Sequence, residues 1–351
     1  MPADVSEARY ARKPAWHRFG DVQEGDEYMT ASDCMRSLDP SGEGVIKADV
    51  IFKFVDSKGE KHEVSFVEKV GLIDYDAKNK MWRPQSVMDK DYGLVQRDEL
   101  FLFMDTVIGM VDGSHYDAAV NLRKGRQIVL SAYIGEYALD PKGRNDRQQR
   151  YIWGFSSFDG SWALRLKKGE YRVECANMAA MALRGSTDQD VIGCDWSTRH
   201  TKDVMQRVNE AKTVLQMWNV HDRLFEAQAE HMIQCALNDN AFGRIIEGLY
   251  TDINPKTNQR ETDKEAVEAV RMNLAIGRST KDIADTVWGG FNAVTEYEDW
   301  LVKVRGGKNS SVNEKRLVRQ LEDPDGRKQA AWDRFWDLAE TSKPFKMPSL
   351  A

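Results

Sequence analysis

Ten basic side chains stand close together in the middle of the chain: Arg123, Lys124, Arg126, Arg144, Arg147, Arg150, Arg165, Lys167, Lys168 and Arg172. Tyr133, Tyr137, Tyr151, Trp153, Phe155, Phe158, Trp162 and Tyr171 interleave with them. A cationic groove with aromatic platforms is the composition of a single-strand nucleic-acid binder, in which cations meet phosphates and rings stack on bases. Asp159-Gly160 between two alternating runs predicts a hairpin with a two-residue loop, a turn whose central residues both take positive φ. That pairing sets Phe158 against Ser161, Ser156 against Ala163, Gly154 against Arg165 and Ile152 against Lys167. One face then carries Tyr151, Trp153, Phe155, Trp162, Leu164 and Leu166 as core. The other carries Arg150, Ser156, Arg165 and Lys167 as a solvated cationic surface. The cations, rather than the rings, are the expected phosphate contacts.

Other chemistries are less well supplied. Cys175, Cys194, His200 and His231 are metal-ligand types, but Cys175, Cys194 and His200 are spaced C-x18-C-x5-H, which fits no closed zinc motif. Asp140, Asp146 and Asp159 are the carboxylates that a Mg²⁺-dependent nuclease would need. Cys175, in Arg172-Val-Glu-Cys-Ala-Asn177, lies at an expected strand-to-helix junction, where a thiol pKa can fall. Packing is the plainer role for it. No G-x-S-x-G, P-loop or strand-linked G-x-G-x-x-G occurs, so no cofactor is expected.

The elements that must position these residues follow from pattern. Thr30-Ala-Ser-Asp33 opens a short helix to Leu38. Val50–Val55, the turn Asp56–Gly59 and Glu63–Val67 form a hairpin. Tyr92–Arg97 is expected as a strand, Glu99–Met110 as a buried helix ending near Gly113, and Gln127–Tyr137 as a strand. A 3.5-residue seam runs Val204, Val208, Ala211, Leu215, Trp218, Asp222, Phe225, Ala229, Met232, Ala236, broken only by Asp222. Thr262–Glu265 and Ser279–Asp282 open two further helices, ending near Gly277 and Gly306. Gly306–Ser311 is a flexible loop, and Ala331, Trp332, Phe335, Trp336 and Leu338 mark a last helix. The fold class is α+β: an antiparallel sheet with hairpins in the N-terminal half and a helical C-terminal half. The division is an α+β domain over 1–185 with the basic hairpin block, a helical region over 186–342, and a flexible tail over 343–351.

The composition is 41% hydrophobic and 30% charged over 351 residues, which excludes collagenous and wholly disordered chains. The net charge of −6 conceals an asymmetry: residues 121–184 carry 12 basic and 6 acidic groups, residues 1–120 carry 15 and 23. A basic block in an acidic chain points to a localised anionic partner. No apolar run approaches a membrane span, and Met1–Phe19 lacks a secretory core. The four dispersed cysteines suit a reducing cytosol, here that of a host cell.

Trp16-His-Arg-Phe-Gly20, Arg150-Tyr151 through Phe158-Asp-Gly-Ser161, Arg172-Val-Glu-Cys-Ala-Asn177, Arg199-His-Thr201 and Asn292-Ala-Val-Thr-Glu-Tyr297 resemble the blocks of the phage/plasmid-like protein family, domain of unknown function 932. The family usually has Leu where Phe19 stands, and Cys-Asn-Thr at the Cys175 junction. The resemblance implies a phage, prophage or plasmid source and supplies no established activity. By analogy the strand–hairpin–helix order is similar to the core of phage single-strand annealing proteins, which form rings or filaments around a basic groove. The favoured function is therefore nucleic-acid binding, to single-stranded DNA above all, in phage or plasmid DNA metabolism. A homo-oligomer is implied by the seam and the analogy. The alternatives are an interaction factor aimed at a host or phage protein, and a metal-dependent nuclease.

Overall fold

The computed structural model describes residues 7–10, 21–22, 29–109, 111–172, 177–178, 195–200, 222–277, 280–305, 312–322 and 326–346. The main sheet is built from β1 (Glu7–Tyr10), β2 (Asp21–Val22), β6 (His115–Leu122), β7 (Gln127–Leu139), β8 (Asp146–Ser157), β9 (Leu164–Arg172), β10 (Asn177–Met178) and β11 (Asp195–Thr198). Their order is β10-β9-β8-β7-β6-β1-β2, with β11 also pairing with β9. All pairs are antiparallel except the short β1–β2 pair. Strand β11 comes from beyond residue 186, so the sheet draws on chain that follows the expected N-terminal region. A second sheet holds β3 (Val45–Val55), β4 (Lys61–Asp76) and β5 (Met81–Asp89) in that order.

The helices are α1 (Ala31–Leu38), α2 (Arg97–Ile108), α3 (described over 222–234), α4 (Asp239–Leu249), α5 (Lys264–Ile276), α6 (Val287–Glu296), α7 (Val312–Glu322) and α8 (Arg327–Ser342). A π-helical turn, Tyr297–Leu301, continues α6. Between α4 and α5 lies a small hairpin, β12 (Thr251–Ile253) and β13 (Arg260–Thr262). The chain is thus α+β, with antiparallel sheets in the first half and helices in the second. Among the described residues no helix is long and apolar enough to cross a membrane.

Both faces of the main sheet are covered, as near-continuous apolar strands require. Ile128, Leu130, Ala132, Ile152, Leu164 and Leu166 pack with Leu100, Phe103 and Met104 of α2. Val120, Val129, Tyr151, Trp153 and Phe155 form the opposite core with Leu317 of α7. A third core lies among the helices, centred on Phe225, Trp288, Phe291, Trp332 and Phe335, and it reaches Leu139 at the end of β7.

Several local expectations hold. The Thr30 hydroxyl accepts from Asp33 N, and Asp33 accepts from Thr30 N, closing the capping box of α1. The β3–β4 hairpin forms around Asp56–Gly59. Helix α8 contains the expected Trp332, Phe335 and Trp336, and α3 buries Phe225, Ala229 and Met232 of the seam. The seam from Val204 to Trp218, the Gly306–Ser311 loop and the boundary near residue 185 lie outside the described residues.

Others are corrected. Tyr92–Gln96 is an irregular connection rather than a strand, because Gln96 caps α2 and ties its side-chain amide to Val45 N and O. Helix α5 is capped by Asp263, one residue beyond Thr262. Helix α6 starts only after Thr286, whose hydroxyl accepts from Gly289 N. The β8–β9 loop spans residues 158–163, not two residues. Gly160 has positive φ but Asp159 does not, and the Asp159 carboxylate accepts from Ser161 N instead. Ser157 Oγ then bonds both Trp162 N and O. Gly154 consequently faces Leu166, Phe155 faces Arg165 and Trp153 faces Lys167. A one-residue slip exchanges faces. Leu164 and Leu166 therefore join Ile152, while Arg165 and Lys167 share the face of Trp153 and Phe155, under α7.

Candidate functional site

The ten central cations fall into three groups. Arg123, Lys124 and Arg126 are exposed in the four-residue turn between β6 and β7. Arg123 and Lys124 both take positive φ, 50° and 62°, ahead of Gly125 at 84°. Consecutive non-glycine residues in that region cost roughly 1 kcal/mol or more each. A hairpin turn of this shape ordinarily takes Asn or Gly.

The turn sits on a rigid base. The Lys124 carbonyl accepts from Arg83 Nη2 at 3.2 Å and Gln85 Nε2 at 3.4 Å. A side chain at Gly125 would meet Asp74 Oδ2 at 3.2 Å, above the buried Arg97–Asp74 ion pair of 2.7 Å. Arg126 O accepts from Phe158 N at 2.7 Å, joining the turn to the β8–β9 loop. Neither the Lys124 nor the Arg126 side chain has an ion-pair partner among the described residues. The turn therefore displays cations from fixed backbone.

A second group lies at the rim and is paired. Arg144 bonds Asp285 at 2.8 Å and Arg147 bonds Glu136 at 2.7 Å. Arg165 lies over the Phe155 ring, 5.2 Å from its centroid.

The third group corrects the expectation of a solvated cationic face. Lys167, Lys168 and Arg172 are 2%, 4% and 3% exposed. Lys168 pairs with Asp222, and Arg172 with Asp146. Arg150 sits 4.1 Å over the Tyr137 ring and bonds Glu226 at 2.7 Å and Glu170 at 3.4 Å. Asp146 also accepts from Trp288 Nε1 at 2.8 Å and Gln148 Nε2 at 2.9 Å. Glu230 accepts from Asp140 N at 2.6 Å. These cations hold the sheet to α3 and α6. A fully desolvated charge is tolerated only with such partners.

Glu170 lies at the centre of this cluster. Burial pushes its carboxyl up to about 7, against the opposing pull of Arg150. Tyr137 donates its hydroxyl to Glu170 and is itself held well above its ordinary pKa by burial and by that carboxylate. The cluster could hold a proton near neutrality. The readable signal was Asp222, Glu226 and Glu230 at i, i+4 and i+8 on one helix, an acidic stripe matching the basic strands.

Among the described residues the expected metal candidates do not assemble. Asp146 opens the twelve-residue β8 while Asp159 lies in the loop past its other end, and Asp140 accepts from Arg144 N in its own loop. His200 bonds Gly93 O and stacks on Tyr92, and burial lowers its pKa. His231 bonds Lys343 O. Cys175 and Cys194 lie outside the described residues. Among the described residues, Asp56, Glu60 and His62 bring ligand atoms within 4.8 Å of one another, at the β3–β4 turn. Asp56 there already accepts from Lys58 N, Glu60 N and His62.

The family model described as a domain of unknown function, DUF932, matches residues 84–321. The chain belongs to the DUF932 family. Comparison with curated proteins and with solved structures gives no match. The matched span of this DUF932 chain takes in the cationic turn, the ionic cluster, α2 to α6 and nearly all of α7. The β3–β4 hairpin and α8 fall outside it.

Proposed function

We propose that this DUF932 chain binds nucleic acid, single-stranded DNA in preference to duplex, as a phage- or plasmid-encoded factor of DNA metabolism such as strand annealing. The observation that carries the reading is the turn Arg123-Lys124-Gly125-Arg126, which keeps two consecutive basic residues in left-handed backbone on an exposed, anchored hairpin end. Backbone strain held by surrounding structure is characteristic of ligand-contacting positions. Phosphate contact supplies affinity without base specificity, which suits a protein that handles strands of any sequence. The buried Lys167, Lys168 and Arg172 have no part in this contact.

The test is binding of labelled single-stranded and duplex DNA by nuclease-treated protein across a salt series. The variant Arg123→Asn, Lys124→Asn, Arg126→Gln removes three charges, with Asn at the two left-handed positions, which that residue tolerates. Salt-steep binding by the parent is expected, with the variant's salt slope reduced by about 2, since each single-strand phosphate contact contributes about 0.7. Equal affinity and slope in parent and variant would sink the assignment.

A further inference from the structure

Beyond Asp49 and Val70 the β3–β4 hairpin continues as two strands alone, because β5 pairs only with Lys69–Asp76. Two-stranded ribbons are marginal in water. This one nevertheless displays Phe52, Phe54, Val64 and Phe66, between 39% and 53% exposed, with Phe52 against Phe66 and Phe54 stacked on His62. Among the described residues no strand pairs with the outer edge of β3. An exposed apolar edge of this length is a template for another strand.

Backbone direction and charge together select which strand. Gln96 bonds both N and O of Val45, so the odd-numbered residues of β3 turn their backbone groups to the outer edge. The irregularity near Val50 sets four residues of β4, 66–69, against Val50 alone, so the extra residues are on β4 and β3 is unbroken. An antiparallel copy of β3 that pairs odd residues with odd, with Ile51 on the two-fold axis, opposes Lys53 to the second copy's Asp49, and Asp49 to its Lys53. Phe52 then meets Val50, and Phe54 meets Ala48. Moving the axis to Val50 sets Lys47 against Lys53, and moving it to Phe52 leaves both charges opposite apolar residues. Opposite charges across a strand pair are favourable and like charges are not. Isologous pairing satisfies both sites at once.

We propose that the β3 edge is a homodimer interface, occupied by β3 of a second copy in the register centred on Ile51. This surface is separate from the cationic turn, so it stands or falls apart from nucleic-acid binding.

Sedimentation velocity on the full chain over a dilution series tests it, with Asp49→Lys, Lys53→Asp and their equimolar mixture. Both positions are exposed, but Lys53 also bonds Glu63 across the hairpin at 2.6 Å. Asp49→Lys should keep the parent's circular dichroism and melting curve. Lys53→Asp, which sets a carboxylate opposite Glu63, should keep the circular dichroism with a slightly lowered melting curve. The parent should associate, and each single variant, which now opposes like charges at two sites, should associate about tenfold or more weakly. The mixture should recover parental association, because a mixed dimer again sets cation against anion at both sites. A parent monomeric throughout the series, single variants as tight as the parent, or a mixture no tighter than its components would each overturn the interface.

Discussion

Lys167 and Lys168 are adjacent in β9 and turn to opposite faces of one sheet, as strand alternation dictates. Both are buried. Lys168 meets Asp222, the residue that interrupts an otherwise apolar seam. Removing one partner of such a pair leaves the other charge desolvated. Lys168→Ala should therefore lower stability by about 3 kcal/mol in urea unfolding. A loss below about 1 kcal/mol, the range of exposed pairs, would contradict the burial. Arg165→Glu with Lys167→Glu should destabilise by on the order of 3–5 kcal/mol, since a carboxylate would enter the face beneath α7. Near-parental stability of that variant would restore the solvated face. Residue type alone could not separate these cations from Arg123, Lys124 and Arg126. A Lys beside a helix-borne carboxylate and a Lys in water have the same letter, and the difference lies in an element more than fifty positions away.

Elements governed by nearby residues were legible. The Thr30–Asp33 capping box is closed by atoms three residues apart, so its sequence signature suffices. The same holds for α8, whose apolar stripe repeats at helical spacing. The β8–β9 loop departs from the two-residue expectation because Asp-Gly permits two solutions. It can form a two-residue turn, or Asp159 can accept from Ser161 N and widen the loop. Packing of Gly154 against α2 fits the second register. A Cβ on Gly154 would meet Met104 Sδ at 2.8 Å and Leu100 at 3.4 Å. Gly154→Ala should accordingly cost about 1–3 kcal/mol by overpacking, measured by chemical denaturation. Met104→Ala in the Gly154→Ala background should cost less than Met104→Ala in the parent, and strictly additive losses would argue against this contact.

At the scale of the whole molecule, the sheet and the helical half meet through ions. The ion pairs Arg150–Glu226 and Lys168–Asp222 tie strands to α3, where Glu230 also accepts from the backbone N of Asp140 just past β7. The Asp146 carboxylate, accepting from Trp288 Nε1, ties the sheet to α6. Glu170 lies at this junction with its carboxyl raised from 4.5 to about 7 by burial. The folded chain then keeps a proton that the unfolded chain has released. Its contribution to stability is complete below about 4.5 and is lost as pH rises through about 7. Between those values stability should fall by up to about 1.4 kcal/mol per pH unit from this group. Glu170→Gln should flatten that part of the profile, and parallel profiles for parent and variant would show that Glu170 titrates normally. Amino-acid order by itself determined the fold class, the Thr30–Asp33 capping box, the β3–β4 hairpin, the apolar positions Phe225, Ala229 and Met232 of α3 and the concentration of basic residues, because these depend on composition, short spacings and periodicity. The tertiary structure alone decided which cations stay exposed, which are neutralised by the acidic stripe of α3, and which strand edge has no paired strand among the described residues. Those outcomes depend on what each surface meets across the chain, and burial sets the free energy of a charge far more strongly than its neighbours in sequence do.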